Sequence, residues 1–119
     1  MRITAGRSKV DAADDVGLDD EIPELSPGAP LRDAVARLRA QSFPPPVDGG
    51  RAAWVLRAGG PDGRPLAVVA QQWYEPRYLV DADGPVGDLA APADGGPVLF
   101  FEYRHGSDPA EVHAELTGP

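Results

Sequence analysis

The sequence predicts an α+β domain with a mainly antiparallel sheet, in the order β-β-α-β-β-β-β-α, with one central helix and a short C-terminal helix. Three observations carry that expectation. Residues 51–64 hold an apolar run and a Gly59-Gly60-Pro61-Asp62-Gly63 turn, and residues 65–81 hold two more runs broken at Glu75-Pro76. That is the pattern of strand, hairpin, strand and third strand. Residues 31–41 repeat apolar positions at helical spacing. Asp108-Pro109 opens a second helix near the C-terminus. Hairpin-linked strands mixed with two separate helices define the α+β class. At 119 residues the chain fits one domain, residues 1–119, with residues 13–30 as a long acidic loop.

Two short strands are expected at the N-terminus, over 2–5 and 9–12, turning at Gly6-Arg7. Ile3 and Ala5 share one face, as do Val10 and Ala12. The next segment carries Asp11, Asp14, Asp15, Asp19, Asp20, Glu21 and Glu24 with no basic residue. Val16, Leu18, Ile22 and Leu25 are threaded through it, so part of the segment should lie on the domain with carboxylates outward. Pro27-Gly28-Ala29-Pro30 then breaks the chain.

In the central helix, 31–41, Leu31, Val35 and Leu38 form one face with Ala34 beside them. Asp33 and Arg37 are spaced as an i,i+4 pair on the other side. Arg37 and Arg39 fall late, where the helix dipole favours cations. Pro44-Pro45-Pro46 stops the helix and returns the chain to the sheet as a stiff linker.

The strands over 52–58 and 65–74 are apolar on both faces, as central strands are. A third strand follows over 76–81, closed by Asp81-Ala82-Asp83-Gly84, and a last one over 98–103. In the C-terminal helix Asp108 is the N-cap, Pro109 takes the first position and Glu111 the third. Val112 and Leu116 give it a minimal apolar face, so it should need tertiary packing to persist.

Charge and composition narrow the function. The net charge of −8 disfavours nucleic acid and anionic membranes as partners. With no Cys, disulfides, thiolate metal sites and Cys nucleophiles are excluded. No leader-like or membrane-spanning apolar run is present, and a cytoplasmic location is the expectation.

Several residue groups have the types of a chemical site without its spacing. His105 and His113 match no metal signature. His105, Ser107 and Asp108 lie too close on one loop for a hydrolase triad and lack a strand–turn–helix elbow. Asp81-Ala82-Asp83-Gly84 begins like a calcium loop but has Pro92 at the twelfth position, where a bidentate Glu is needed. The Gly59–Gly63 turn has no P-loop Lys and precedes a strand. No catalytic residue, metal or cofactor is expected.

The aromatic residues are a better lead. Trp73, Tyr74 and Tyr78 cluster around one connection, with Arg77 beside them, and these residue types are enriched at binding hot spots. The expectation is a small, acidic, non-enzymatic protein-binding module of adaptor, inhibitor or toxin-neutralising type. Asp14, Asp15, Asp19, Asp20 and Glu21 would attract a basic protein partner, and Trp73, Tyr74, Arg77 and Tyr78 would anchor it. The alternative is a small-molecule-binding or accessory domain with a pocket formed by Gln71, Trp73, Arg77 and Tyr78.

Overall fold

The computed structural model describes residues 2–10, 17–47, 49–90, 97–104 and 107–117. In chain order the elements are β1 (Ile3–Arg7), β2 (Asp19–Ile22), α1 (Leu31–Ala40), β3 (Ala53–Ala58), β4 (Pro65–Ala70), β5 (Arg77–Tyr78), α2 (Val86–Leu89), β6 (Val98–Arg104) and α3 (Pro109–Thr117). The six strands form one sheet in the order β2-β1-β6-β3-β4-β5. The fold is α+β and compact, with a radius of gyration of 13.3 Å. A globule of this length has about 13.5 Å.

The sheet is mixed. β1 pairs with β2, β3 with β4 and β6, and β4 with β5, all antiparallel, whereas β1 and β6 run parallel. The last strand enters between the N-terminal pair and the β3-β4-β5 meander, and so joins them. Leu99 and Phe101 of β6 are fully buried on one face, while Val98 and Phe100 are half-buried on the other. That two-sided apolar pattern suits a central position.

The N-terminal expectation is corrected. Gly6 and Arg7 do not turn but continue β1. Lys9 and Val10 lie outside any strand, and residues 11 and 12 lie outside the described residues. The second strand comes from within the acidic segment, where a loop was expected. There Ile22 pairs with Ile3, and both are buried. Strand alternation is hidden in that segment because its exposed and inward positions are both acidic. An edge strand tolerates this, since its charges face water and discourage further pairing.

Other boundaries shift for local reasons. The run at 65–74 stops as a strand at Ala70. Gln71 and Gln72 instead accept the backbone N–H groups of Val47 and Ala52, at 2.9 and 3.1 Å. The third strand shrinks to Arg77–Tyr78 after Pro76, which has no N–H to give a ladder. The short helix α2 was not expected. It is held against the start of α1 by Val86 N–H to Ala29 O (2.8 Å) and Leu31 N–H to Gly84 O (2.9 Å), and it buries Val86.

The turns at 59–63 and 81–84 read as expected. Gly63 N–H bonds Gly60 O at 2.9 Å, and a Cβ on Gly63 would collide with the Ala58 carbonyl. Asp81 accepts the Asp83 N–H through Oδ1 and the Gly84 N–H through its carbonyl, each at 3.0 Å. At the head of α3 the Asp108 carboxylate accepts the Ala110 N–H at 3.0 Å, which satisfies a free donor of the first turn.

Paired residues share a face, so the register sorts the sheet into two sides. Beneath α1 and α2, Ile3, Ala5, Trp54, Leu56, Val69, Leu99 and Phe101 pack with Leu31, Val35, Leu38 and Phe43 in one cluster. Phe43 meets Phe101 edge-on at 5.8 Å between ring centres. Each fully buried aliphatic or aromatic side chain here contributes about 1.5–3 kcal/mol. On the opposite side α3 lies across β3 and β4, where Val112 packs on Val55 and Val68 with Trp73 and Leu116 at the margin.

Candidate functional site

The site is built where β4 ends against α1. Arg39, near the end of the helix, turns its guanidinium onto three carbonyls of the connection: Trp73 O at 2.8 Å, Tyr74 O at 3.1 Å and Ala70 O at 3.2 Å. Trp73 N–H also bonds Ala70 O at 3.1 Å, and Gln71 N–H bonds Ala52 O at 2.9 Å. The backbone of 70–74 is therefore held from the helix side and from the β3 side. A guanidinium suits this task because its donors diverge in one plane.

The side chains of this held segment go to different places. Trp73 turns under the sheet to the margin of the α3 cluster, and the Arg77 guanidinium lies 4.3 Å from its ring centre. Such a cation–π contact is worth about 0.5–1 kcal/mol at a part-exposed site. Tyr78 joins the opposite, main cluster. Burial pushes its phenol pKa up, and the charges of Arg32 and Arg39 pull it partly back. Tyr74 packs on neither cluster and is 94% exposed.

Between α1 and this connection lies an open cleft of about 370 Å³, lined by Arg32, Asp33, Arg39, Tyr74, Glu75 and Tyr78 among others. Arg32 is tied to Asp83 at 2.9 Å. Of the four residues expected to converge on a ligand pocket, Tyr78 lines this cleft. Arg77 pairs with Val68 on the α3 side, Trp73 follows it there, and the Gln71 side chain is bound to Val47.

The acidic residues are distributed differently. Asp14 and Asp15 lie outside the described residues. Asp19, Asp20 and Glu21 occupy β2, where alternation divides them. Asp19 and Glu21 stand opposite Gly6 and Thr4 on the α3 side, and Asp20 stands opposite Ala5 on the α1 side. Glu21 pairs with Arg2 at 3.6 Å, and Asp20 accepts a hydrogen bond from Gln41 Nε2 at 2.9 Å. β2 and β5 form the two outer edges of the sheet. The two regions are linked through α1: Gln41, which bonds Asp20, stands two residues from Arg39, which bonds the Tyr74 carbonyl.

His113 lies on α3 and His105 lies outside the described residues. Among the described residues no group of three or more His, Asp or Glu side chains is placed to hold a metal ion, and no helix is long and apolar enough to cross a membrane. Sequence reasoning missed Arg39, Arg32 and Asp33 as part of the corner. On the sequence Arg39 is only a cation late in a helix. Its use as a clamp depends on the β4 turn lying against α1, which no local pattern signals.

Comparison with protein-family models, with curated proteins and with solved structures finds no match to this chain.

Proposed function

We propose that this chain is a small, acidic, non-enzymatic protein-binding module of adaptor, inhibitor or toxin-neutralising type, and that it works in the cytoplasm. The observation that supports this reading is Tyr74, 94% exposed on a turn that Arg39 fixes through three hydrogen bonds. A tyrosine on a rigid turn offers a large contact area at small entropic cost, because its backbone is already ordered. Asp33 and Glu75 line the same cleft. The net charge of −8 speeds the approach of a basic partner, and the β2 carboxylates contribute to that long-range field.

The test is partner capture from native cell extract, washed at low and then high salt, with wild-type protein and Tyr74→Ala. A basic partner held by the wild type and released by salt is expected. Tyr74→Ala should weaken it by roughly 30-fold, the scale of a hot-spot residue, while the thermal midpoint stays unchanged. Equal capture by both proteins would remove the corner from the binding surface.

The cleft itself favours a second reading, small-molecule binding. Its volume of about 370 Å³ falls at the lower end of ligand sites, roughly 300–1,000 Å³. A thermal-shift screen with wild type and Tyr78→Phe addresses it.

A further inference from the structure

The sheet face beneath α3 differs in charge from the rest of the molecule. Around the apolar patch of Val55, Val68 and Trp73 stand Arg57, Arg77 and Arg104, with Glu102 as the counter-charge on the same strands. Glu102 Oε1 is shared, 3.0 Å from Arg57 Nη2 and 3.2 Å from Arg104 Nε. Under α3, on β3 to β6, three cations face one carboxylate within a chain of net charge −8, while Asp19 and Glu21 stand on the same face at the distant β2 edge. What covers it is acidic. α3 presents Glu111 and Glu115, and Glu115 reaches Arg104 at 3.4 Å. The cover is also small: Pro109 and Val112 are its buried residues, with Leu116 half-buried beside them. No residue of α3 belongs to the main cluster. A helix of nine residues does not persist in water without packing.

We propose that this face is a docking surface for an acidic amphipathic helix of a partner protein, and that α3 is its internal occupant, displaced when the partner helix binds. Two apolar residues one turn apart would fill the place of Val112 and Leu116 over Val55 and Val68. Carboxylates on the flanks would meet Arg104 and the other guanidinium groups. The surface lies on the opposite side of the sheet from the α1 cleft, so its test stands or falls independently of the Tyr74 corner.

The test uses the full chain carrying Val112→Asp and Leu116→Asp, which undocks α3 and leaves the main cluster untouched. The probe is a synthetic peptide with the sequence of residues 107–117, followed by the amide signals of Val55 and Val68 and the indole N–H of Trp73. The peptide is expected to shift these signals in the variant. Wild type should need about tenfold more peptide, because its own α3 competes at high effective concentration. A peptide with Lys in place of both Glu residues should bind less well. Absence of shifts in a folded variant, equal binding to wild type, or equal binding of the Lys peptide would each overturn the proposal. Hydrogen exchange on the wild type is a second measurement that needs no variant. The α3 amides should open about tenfold or more often than those of β3, as a separately released unit does. Equal protection of the two would also overturn it.

Discussion

On the side under α1 and α2 the sheet buries Trp54, Leu56, Leu99 and Phe101 against Leu31, Leu38 and Phe43. On the side under α3 it buries Val55, Val68 and Val112, and beside them it places Arg57, Glu102 and Arg104. The first side gains from apolar area and close packing. The second gains less from area, and it needs its charges matched. The difference teaches where each kind of change can be borne. The α1 side fixes the fold. The α3 side holds the smaller core and should bear change more readily.

The sharpest way to break this comparison is to truncate one residue on each side. Leu38→Ala, at a fully buried position, is expected to cost about 2–5 kcal/mol. For a domain of this size that lowers the melting midpoint by roughly 10 °C or more. Val112→Ala, on the α3 side, should cost about 1 kcal/mol, the centre of the range for point changes. Thermal melts followed by circular dichroism compare the two, and equal losses would remove the asymmetry.

A smaller effect is expected from Glu102→Gln. Arg57 and Arg104 have side chains only 14% and 25% exposed, and the change leaves both without their shared carboxylate. A loss of about 1–2 kcal/mol follows from stranding part-buried charges. Because this site is part-solvated, added salt should narrow the gap to wild type. Melts at low and high salt check this. A gap unaffected by salt would mean the carboxylate matters through packing alone.

The smallest effect sharpens the description of the α1 side. Burial holds the Tyr78 phenol neutral above its ordinary pKa. In the unfolded chain the phenol ionises near pH 10, so from there upward the unfolded state is favoured. The stability contribution is complete below about pH 10 and is lost as pH rises through the folded-state value. Tyr78→Phe should therefore flatten the alkaline fall in stability while changing little at neutral pH. Denaturant melts at neutral and alkaline pH measure the slope, and identical slopes would show that Tyr78 does not carry it.

Much of the corner was legible only in part. Trp73, Tyr74, Arg77 and Tyr78 are marked by residue type, and the structure places Trp73 and Arg77 on one side of the sheet and Tyr78 on the other. Adjacent residues of a continuing strand would separate Trp73 and Tyr74 by alternation. They are separated instead by a turn that starts at Gln71, after the strand ends at Ala70. The acidic segment was legible in charge but not in shape. Its strand shows one buried apolar residue, Ile22, too few for a period to be seen.

Local chemistry alone determined the amphipathic helix at Leu31–Ala40, the Asp108 cap and Pro109 start of α3, the Gly60–Gly63 turn and the two-sided apolar strands. Each depends on neighbours a few residues apart, so sequence spacing specifies it. Only the tertiary structure decided that β6 enters between β1 and β3, that β1 and β6 run parallel, and that β2 and β5 form the two edges. It also decided that Arg39 clamps the turn carrying Tyr74. The β6 pairings and the Arg39 clamp join residues more than thirty positions apart in the chain. Many pairings of such distant segments satisfy the same local patterns, and the choice is made by burying both faces of one sheet at once.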